Sequence, residues 1–233
     1  MNDLIESMAA AVKAGEVLPP MPEDLTLEAA YQIQEALVRA VAGDALAGYK
    51  AGLTAPAGQA QFGIDHPLVG ALYEAGRLES GAVFAGGGAS LECEIGVVVD
   101  ADGTPRSAGP VIEVPRIGFS RREDATGVNL CACNIAADRI VAGTQSALRD
   151  DYAELSVTLT RDGDTVLQAG LDEALGGPVP AVAWMVETLR DLGRPLADGM
   201  LLITGALGGI HPAQSGAYVA DYGVLGQVTF TVT

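Results

Sequence analysis

Leu91-Glu92-Cys93-Glu94-Ile95-Gly96-Val97-Val98-Val99 is the stretch on which the fold turns. It is apolar almost throughout and ends in three valines, the composition of an interior β-strand. Side chains alternate faces along a strand, so Glu92 and Glu94 point the same way. Two carboxylates side by side in a core repel each other. The arrangement is costly unless a proton, an intervening arginine or a divalent cation neutralises it. The alternative is a solvated strand end with both acids facing water. A second apolar run, Val111-Ile112-Glu113-Val114-Pro115, carries a single acid in the same manner. Brought together, Glu92, Glu94 and Glu113 would form an all-oxygen site that suits Mg²⁺ or Mn²⁺ rather than zinc.

Outward from this strand, short β-type runs separated by Gly, Pro and Asp dominate from Gly48 onward. They are expected at 91–99, 111–114, 155–160, 165–169, 201–204, 218–220 and 227–232. Arg161-Asp162-Gly163-Asp164 reads as a hairpin turn between two of them. One helix is embedded among the strands, from Pro180 through Val182, Met185, Val186 and Leu189 to Gly193, with Trp184 as packing. The N-terminal part is helical, with one helix over 2–14 and a second carrying Leu27, Ala30, Tyr31, Gln34, Leu37, Val38 and Val41 on one face. Asp24 or Thr26 would cap the second helix and Gly43 would end it. Gln34 on that apolar face is expected to be a hydrogen-bonded core glutamine. The layout is α+β: a helical part, 1–46, and a mostly β core, 47–233, within one structural domain.

The chain of 233 residues carries a formal charge of −17, which argues against nucleic acid or an anionic membrane as partner. No signal-type block and no spanning segment is read, so a cytoplasmic location is expected. Three cysteines, Cys93, Cys131 and Cys133, are read as reduced thiols whose spacing fits no common zinc pattern. The cations are eleven arginines and only two lysines. Lys13 reads as solvated. Lys50 lies in Gly48-Tyr49-Lys50-Ala51-Gly52-Leu53-Thr54, where an ammonium can bind an anionic substrate or exchange a proton if desolvated. The alternative is a lysine snorkelling to the surface.

Several motifs fail on inspection. Gly86-Gly87-Gly88 precedes a strand and has no following Lys-Ser/Thr, so it is no phosphate loop. Thr204-Gly205-Ala206-Leu207-Gly208-Gly209 follows a strand but opens no helix, which excludes a dinucleotide fingerprint; its backbone N–H groups remain available to a carboxylate. No Gly-x-Ser-x-Gly elbow exists. His66 and His211 each precede a proline and read as structural or solvated.

These segments, in this order, resemble the 2-keto-4-pentenoate hydratase and 4-oxalocrotonate decarboxylase group of the fumarylacetoacetate hydrolase superfamily. The likeness runs from about Leu25 to the C-terminus. It covers Ala30-Tyr31-Gln32-Ile33-Gln34, Gly48-Tyr49-Lys50-Ala51-Gly52-Leu53-Thr54, Gly63-Ile64-Asp65-His66-Pro67, Glu92-Cys93-Glu94, Ile112-Glu113 and Asn134-Ile135-Ala136-Ala137. It continues through Pro180-Ala181-Val182-Ala183-Trp184, Gly193-Arg194-Pro195-Leu196, Thr204-Gly205 and Leu225-Gly226-Gln227-Val228.

The resemblance implies the superfamily's mixed β fold, with Glu92, Glu94 and Glu113 as ligands to Mg²⁺ or Mn²⁺ and Lys50 as the active-site lysine. It also implies a 2-hydroxy-dienoate or 2-oxo-enoate substrate and a homo-oligomer. Thr54, Thr204, Gly205 and Leu207 are candidates to orient the substrate. The expected reaction is metal-dependent hydration of a 2-hydroxy-2,4-dienoate. The rivals are decarboxylation of a 2-oxo-3-enedioate and a diverged, non-catalytic partner subunit. A C–C hydrolase is less favoured, because the histidine–acid dyad of such enzymes has no counterpart here. The chain departs from the hydratase pattern at Cys133, Leu68 and Ala217, where acids are common.

Overall fold

The computed structural model describes residues 2–233, so that of the expected helical part only Met1 lies outside the description. Helices α1 (Asn2–Ala14) and α2 (Leu27–Ala42) come first. Thr26 caps α2, its hydroxyl accepting from the Ala29 N–H, and Gly43 ends it at a positive φ of 61°, its N–H donating to the Arg39 carbonyl. Then follow β1 (Leu46–Gly52), α3 (Pro56–Phe62), β2 (Leu68–Tyr73), β3 (Arg77–Glu79), β4 (Ala82–Phe84), β5 (Ser90–Val99) and β6 (Pro105–Val114). The remainder is α4 (Gly127–Ala132), β7 (Arg139–Ala142), β8 (Ser156–Arg161), β9 (Asp164–Gly170), α5 (Pro178–Asp191), β10 (Met200–Ile203), β11 (Leu207–Pro212), β12 (Gly216–Asp221) and β13 (Gln227–Val232).

Eight strands form one mixed sheet in the order β2-β1-β10-β5-β6-β7-β3, with β11 also paired to β5. A second sheet runs β4-β13-β12-β8-β9. The main core cluster joins Leu91, Cys93 and Ile95 of β5 to Val157, Leu159, Tyr218, Val228 and Phe230 of the second sheet. Met185 and Leu189 of α5 fill the same cluster. A second cluster docks the N-terminal helices, bringing Met8, Ile33 and Leu37 against Leu68, Cys131 and Ile135. Among the described residues no helix is long and apolar enough to cross a membrane.

The strand β2 lies at an edge of the large sheet, where backbone groups have no strand partner. Side chains meet that need. The Val69 N–H donates to the Tyr31 hydroxyl at 3.3 Å, and the Val69 carbonyl accepts from Gln34 Nε2 at 3.1 Å. Two residues on, both backbone groups of Ala71 bond to the amide of Asn134. Gln34 is thus the hydrogen-bonded core glutamine anticipated from sequence. Its Nε2 also donates to the Cys131 carbonyl at 2.8 Å, and its Oε1 accepts from Arg194.

The α+β class, both N-terminal helices, the embedded helix and the 161–164 hairpin agree with the sequence reading. Strand β6 extends well before the expected 111–114, because Pro105, Ser107, Gly109 and Pro110 conceal its first half. Strands β1, β2, β3, β4, β7 and β11 were not anticipated. Three to seven residues long, and apolar on both faces or interrupted by glycine or charge, they carry no alternation to read. Replacing Gln34 by Leu should keep the volume but strip partners from two buried carbonyls. Denaturant melts should show a loss of about 1–3 kcal/mol, with the N-terminal helices released first.

Candidate active site

Antiparallel pairing of β5 with β6 sets Glu92 directly opposite Glu113, and Glu94 follows two residues along the same face. One carboxylate oxygen from each of Glu92, Glu94 and Glu113 lies within 4.8 Å of the others. Glu94 and Glu113 are fully buried, and Glu92 is half-buried at the rim. The alternative of acids facing water is thereby excluded for two of the three.

Lys50 reaches the same face from β1, where its neighbours across the sheet are Gly70 on β2 and Ile203 on β10. It is buried, its Nζ donating to Glu113 Oε1 in an ion pair and to the Ile135 carbonyl at 3.0 Å. A snorkelling surface lysine is excluded; Lys13, by contrast, is exposed on α1. Burial by itself would lower the Lys50 pKa. Its neighbours Glu113, Glu92 and Glu94 outweigh that effect and hold it above the ordinary lysine value. Burial, then repulsion from Glu113, lifts the Glu92 carboxyl from 4.5 to about 7, against the pull of Lys50. Burial and the same repulsion from Glu113 and Glu92 hold Glu94 well above the usual range.

The strand order explains how Glu94 is oriented. β10 and β11 lie end to end along one edge of β5, β10 beside Gly96–Val99 and β11 beside Ser90–Cys93. The break between them, 204–206, passes Glu94. There the Gly205 N–H donates to Glu94 Oε2 at 2.7 Å, while the Thr204 hydroxyl donates to the Ile95 carbonyl. Gly205 has φ 107°, and a Cβ there would lie 2.5 Å from Thr54 Cγ2, so Thr54 sits directly on the loop. On the far side of the sheet the buried Tyr222 hydroxyl accepts from the Glu94 N–H and donates to the Val111 carbonyl, tying β5 to β6 at this level.

Each buried acid therefore has one oxygen committed: Glu94 Oε2 to Gly205 and Glu113 Oε1 to Lys50. The other two, Glu94 Oε1 and Glu113 Oε2, are buried without a hydrogen-bond partner. With all three acids ionised, one ammonium leaves two negative charges unbalanced; protons offset that charge when the carboxyls are raised, and a divalent cation would bring the same charge. The donor set is all oxygen, and its orphaned atoms fit a cation.

Of the expected orienting residues, Thr54 and Gly205 are at the site and Thr204 is buried beside it. Leu207 requires correction. It pairs with Cys93, whose side chain lies on the opposite face from Glu92 and Glu94, and it is buried in the main core cluster. Its side chain is therefore turned away from the acids by the strand alternation. Sequence reasoning assigned no role to Tyr222, or to Asn134 beyond its place in a motif. A polar side chain between Cys133 and Ile135 was the available signal. Of the three departures, Leu68 and Cys133 are buried in the apolar cluster under the N-terminal helices, and Ala217 is exposed on β12. His66 is half-exposed against Asp65, and His211 faces the Gly208 carbonyl, neither near the acids by any bond. Cavities of about 210 and 370 Å³ lie elsewhere, beside α1 and between α2 and the end of α5.

No family model matches the chain. Among curated proteins, 2-keto-4-pentenoate hydratase of Paraburkholderia phymatum is 32% identical over 254 residues, covering 97% of both chains. Among solved structures, 4-oxalocrotonate decarboxylase from Pseudomonas putida G7, complexed with magnesium and adipate, superimposes with a TM-score of 0.86 at 21% identity, covering 100% of this chain and 98% of that one. A fumarylacetoacetate hydrolase family protein from Yersinia pestis CO92 gives 0.60 at 15% identity, over 79% and 91% respectively. The fold is that of the fumarylacetoacetate hydrolase superfamily. Within it, the chain belongs to the 2-keto-4-pentenoate hydratase family, a family of hydro-lyases.

The raised carboxyls make a pH prediction. Between about 4.5 and 7 the folded chain retains a proton on Glu92 that the unfolded chain has released. Stability of the chelator-treated protein should therefore fall as pH rises through that interval. Thermal melts should show the slope flattened in Glu92→Gln; an unchanged slope would assign it to other groups.

Proposed function

We propose that this protein is a divalent-metal-dependent hydratase, adding water to a 2-hydroxy-2,4-dienoate of the 2-keto-4-pentenoate type to give a 4-hydroxy-2-oxo acid. The observation that carries this reading is the quartet of Glu92, Glu94, Glu113 and Lys50, all buried but the half-buried Glu92, with its two orphaned oxygens and the charge that three ionised acids would leave unbalanced. Glu92, Glu94 and Glu113 would hold Mg²⁺ or Mn²⁺, whose chemistry there would be Lewis-acid stabilisation of negative charge developing on a substrate oxygen.

The chain's own groups supply the rest. Lys50 spends two N–H groups on Glu113 and Ile135 and keeps a third for a substrate oxygen. From there its ammonium can hold the substrate carboxylate or assist the proton shift that converts the 2-hydroxydienoate to its 2-oxo-3-enoate form. Water then adds to that enone, hydroxyl at C4 and proton at C3. The Gly205 N–H orients Glu94, and Thr54, which packs against Gly205, would contact the substrate. We further propose a cytoplasmic protein, supported by three buried free thiols, and a homo-oligomer, supported by the family likeness. Residues 1–46 and 47–233 are read as two parts of one folding unit, since the helical part shares a cluster with Leu68 and Ile135.

The rival reading, decarboxylation of a 2-oxo-3-enedioate, shares these residues. Chelated and Mg²⁺-restored protein should be compared on 2-hydroxypenta-2,4-dienoate and 2-oxo-3-hexenedioate, following conjugated absorbance and CO₂. Metal-dependent loss of absorbance with the first substrate and no CO₂ is expected. CO₂ from the second would select the decarboxylase, and turnover of neither would sink both. Lys50→Ala should lower turnover roughly 10²–10⁴-fold with divalent-ion binding retained, whereas Glu92→Gln should weaken that binding itself in calorimetric titration.

A further inference from the structure

Asn134, Ile135 and Ala136 are three consecutive non-glycine residues in the left-handed region, with φ of 54°, 49° and 60°. Each such residue is disfavoured, and a run of three persists only where its surroundings over-determine it. Those surroundings are explicit. The Asn134 side chain is fully buried, and its amide bonds the Ala71 backbone twice: Oδ1 accepts from the N–H at 2.7 Å and Nδ2 donates to the carbonyl at 2.8 Å. It thereby takes the place of a missing strand at the edge of β2.

Two glycines make room for the turn. A Cβ on Gly70 would lie 3.1 Å from both Asn134 O and Oδ1 and 3.3 Å from Lys50 Cγ. A Cβ on Gly52 would meet Ile135 Cγ2 at 2.5 Å. Gly70 is the cross-strand neighbour of Lys50, and Gly52 lies two residues beyond it on β1. The turn is therefore seated on the face from which Lys50 rises, and it delivers the Ile135 carbonyl to Lys50 Nζ at 3.0 Å.

We infer that Asn134 is a positioning residue: clamped to the edge of β2, it holds the left-handed turn so that the Ile135 carbonyl aims the Lys50 ammonium. A flexible four-carbon stem is otherwise free to sample several rotamers. Two fixed acceptors, Glu113 and Ile135, leave it one orientation. This inference rests on the reading of Lys50 as the working lysine, but its test does not depend on turnover.

With only Lys13 and Lys50 in the chain, ¹⁵N-lysine labelling gives two side-chain ammonium signals. Lys50→Met identifies the buried one by its loss. In full-length, Mg²⁺-saturated protein, Asn134→Ala should shift or broaden the Lys50 signal and leave that of Lys13 in place. Gly52→Ala, which removes no hydrogen bond but presses on Ile135 in the turn and not on Lys50, should do the same; Asn134→Asp, which keeps the acceptor for the Ala71 N–H, should do so less.

Asn134→Ala should also lower kcat at least roughly tenfold, with KM and Mg²⁺ affinity within about twofold, and should add nothing in a Lys50→Met background. An unperturbed Lys50 signal in folded Asn134→Ala and Gly52→Ala would overturn the inference, as would equal proportional losses of kcat in both backgrounds. Should Asn134→Ala fail to fold, Gly52→Ala and Asn134→Asp carry the same comparison. Wild-type protein that turns over neither substrate defeats the functional reading, while the ammonium signal still decides the positioning role.

Discussion

The ion pair between Lys50 and Glu113, buried on one face of the central sheet beside Glu92 and Glu94, is the interaction around which this molecule is arranged. Removing these charges from water is expensive, and a single ammonium cannot balance three carboxylates. The surrounding fold supplies what it can: a backbone N–H at Gly205 for Glu94 and a carbonyl at Ile135 for Lys50. What is left over, two orphaned oxygens and, with all three acids ionised, two negative charges, is what a divalent cation would match. A core of this kind is poor as stabilising material and useful as chemistry, because its groups are dry, close and pre-oriented.

The rest of the architecture can be understood as support for that face. Burying β5 and β6 requires cover on both sides of the large sheet, and the second sheet with α5 provides it opposite the acids. On β1 and β2, glycines at 52 and 70 open space above the sheet that the left-handed turn fills. The helical N-terminal part contributes through Tyr31 and Gln34, which satisfy the backbone of Val69. With Asn134 at Ala71, three polar side chains close an edge that would otherwise be open to another strand. A motif that resembles a family signature on α2 thus has a plain physical purpose in the sheet.

Much of this was legible beforehand where a residue contradicted its surroundings. Acids in apolar strands, a lysine among small residues and a glutamine on an apolar helix face are each costly unless partnered, so each announces a partner. Leu207 shows the limit of such reasoning. It lies in the right loop by sequence, yet one residue of strand alternation turns its side chain into the core. Tyr222 lies 111 residues from the carbonyl it bonds, a separation at which no local pattern exists. The left-handed turn was likewise invisible, since nothing in Asn-Ile-Ala demands positive φ.

By itself the amino-acid sequence determined that Glu92 and Glu94 share a face, that an apolar β run surrounds each acid, and that the helices flank a β core. These follow from side-chain periodicity and from the cost of burying charge, which are local properties. Only the tertiary structure decided that Glu113 stands opposite Glu92, that Lys50 reaches Glu113 across 63 residues, and that a strained turn aims it. Register between strands and the seating of a turn on two glycines depend on packing between distant segments, and no single segment contains that information.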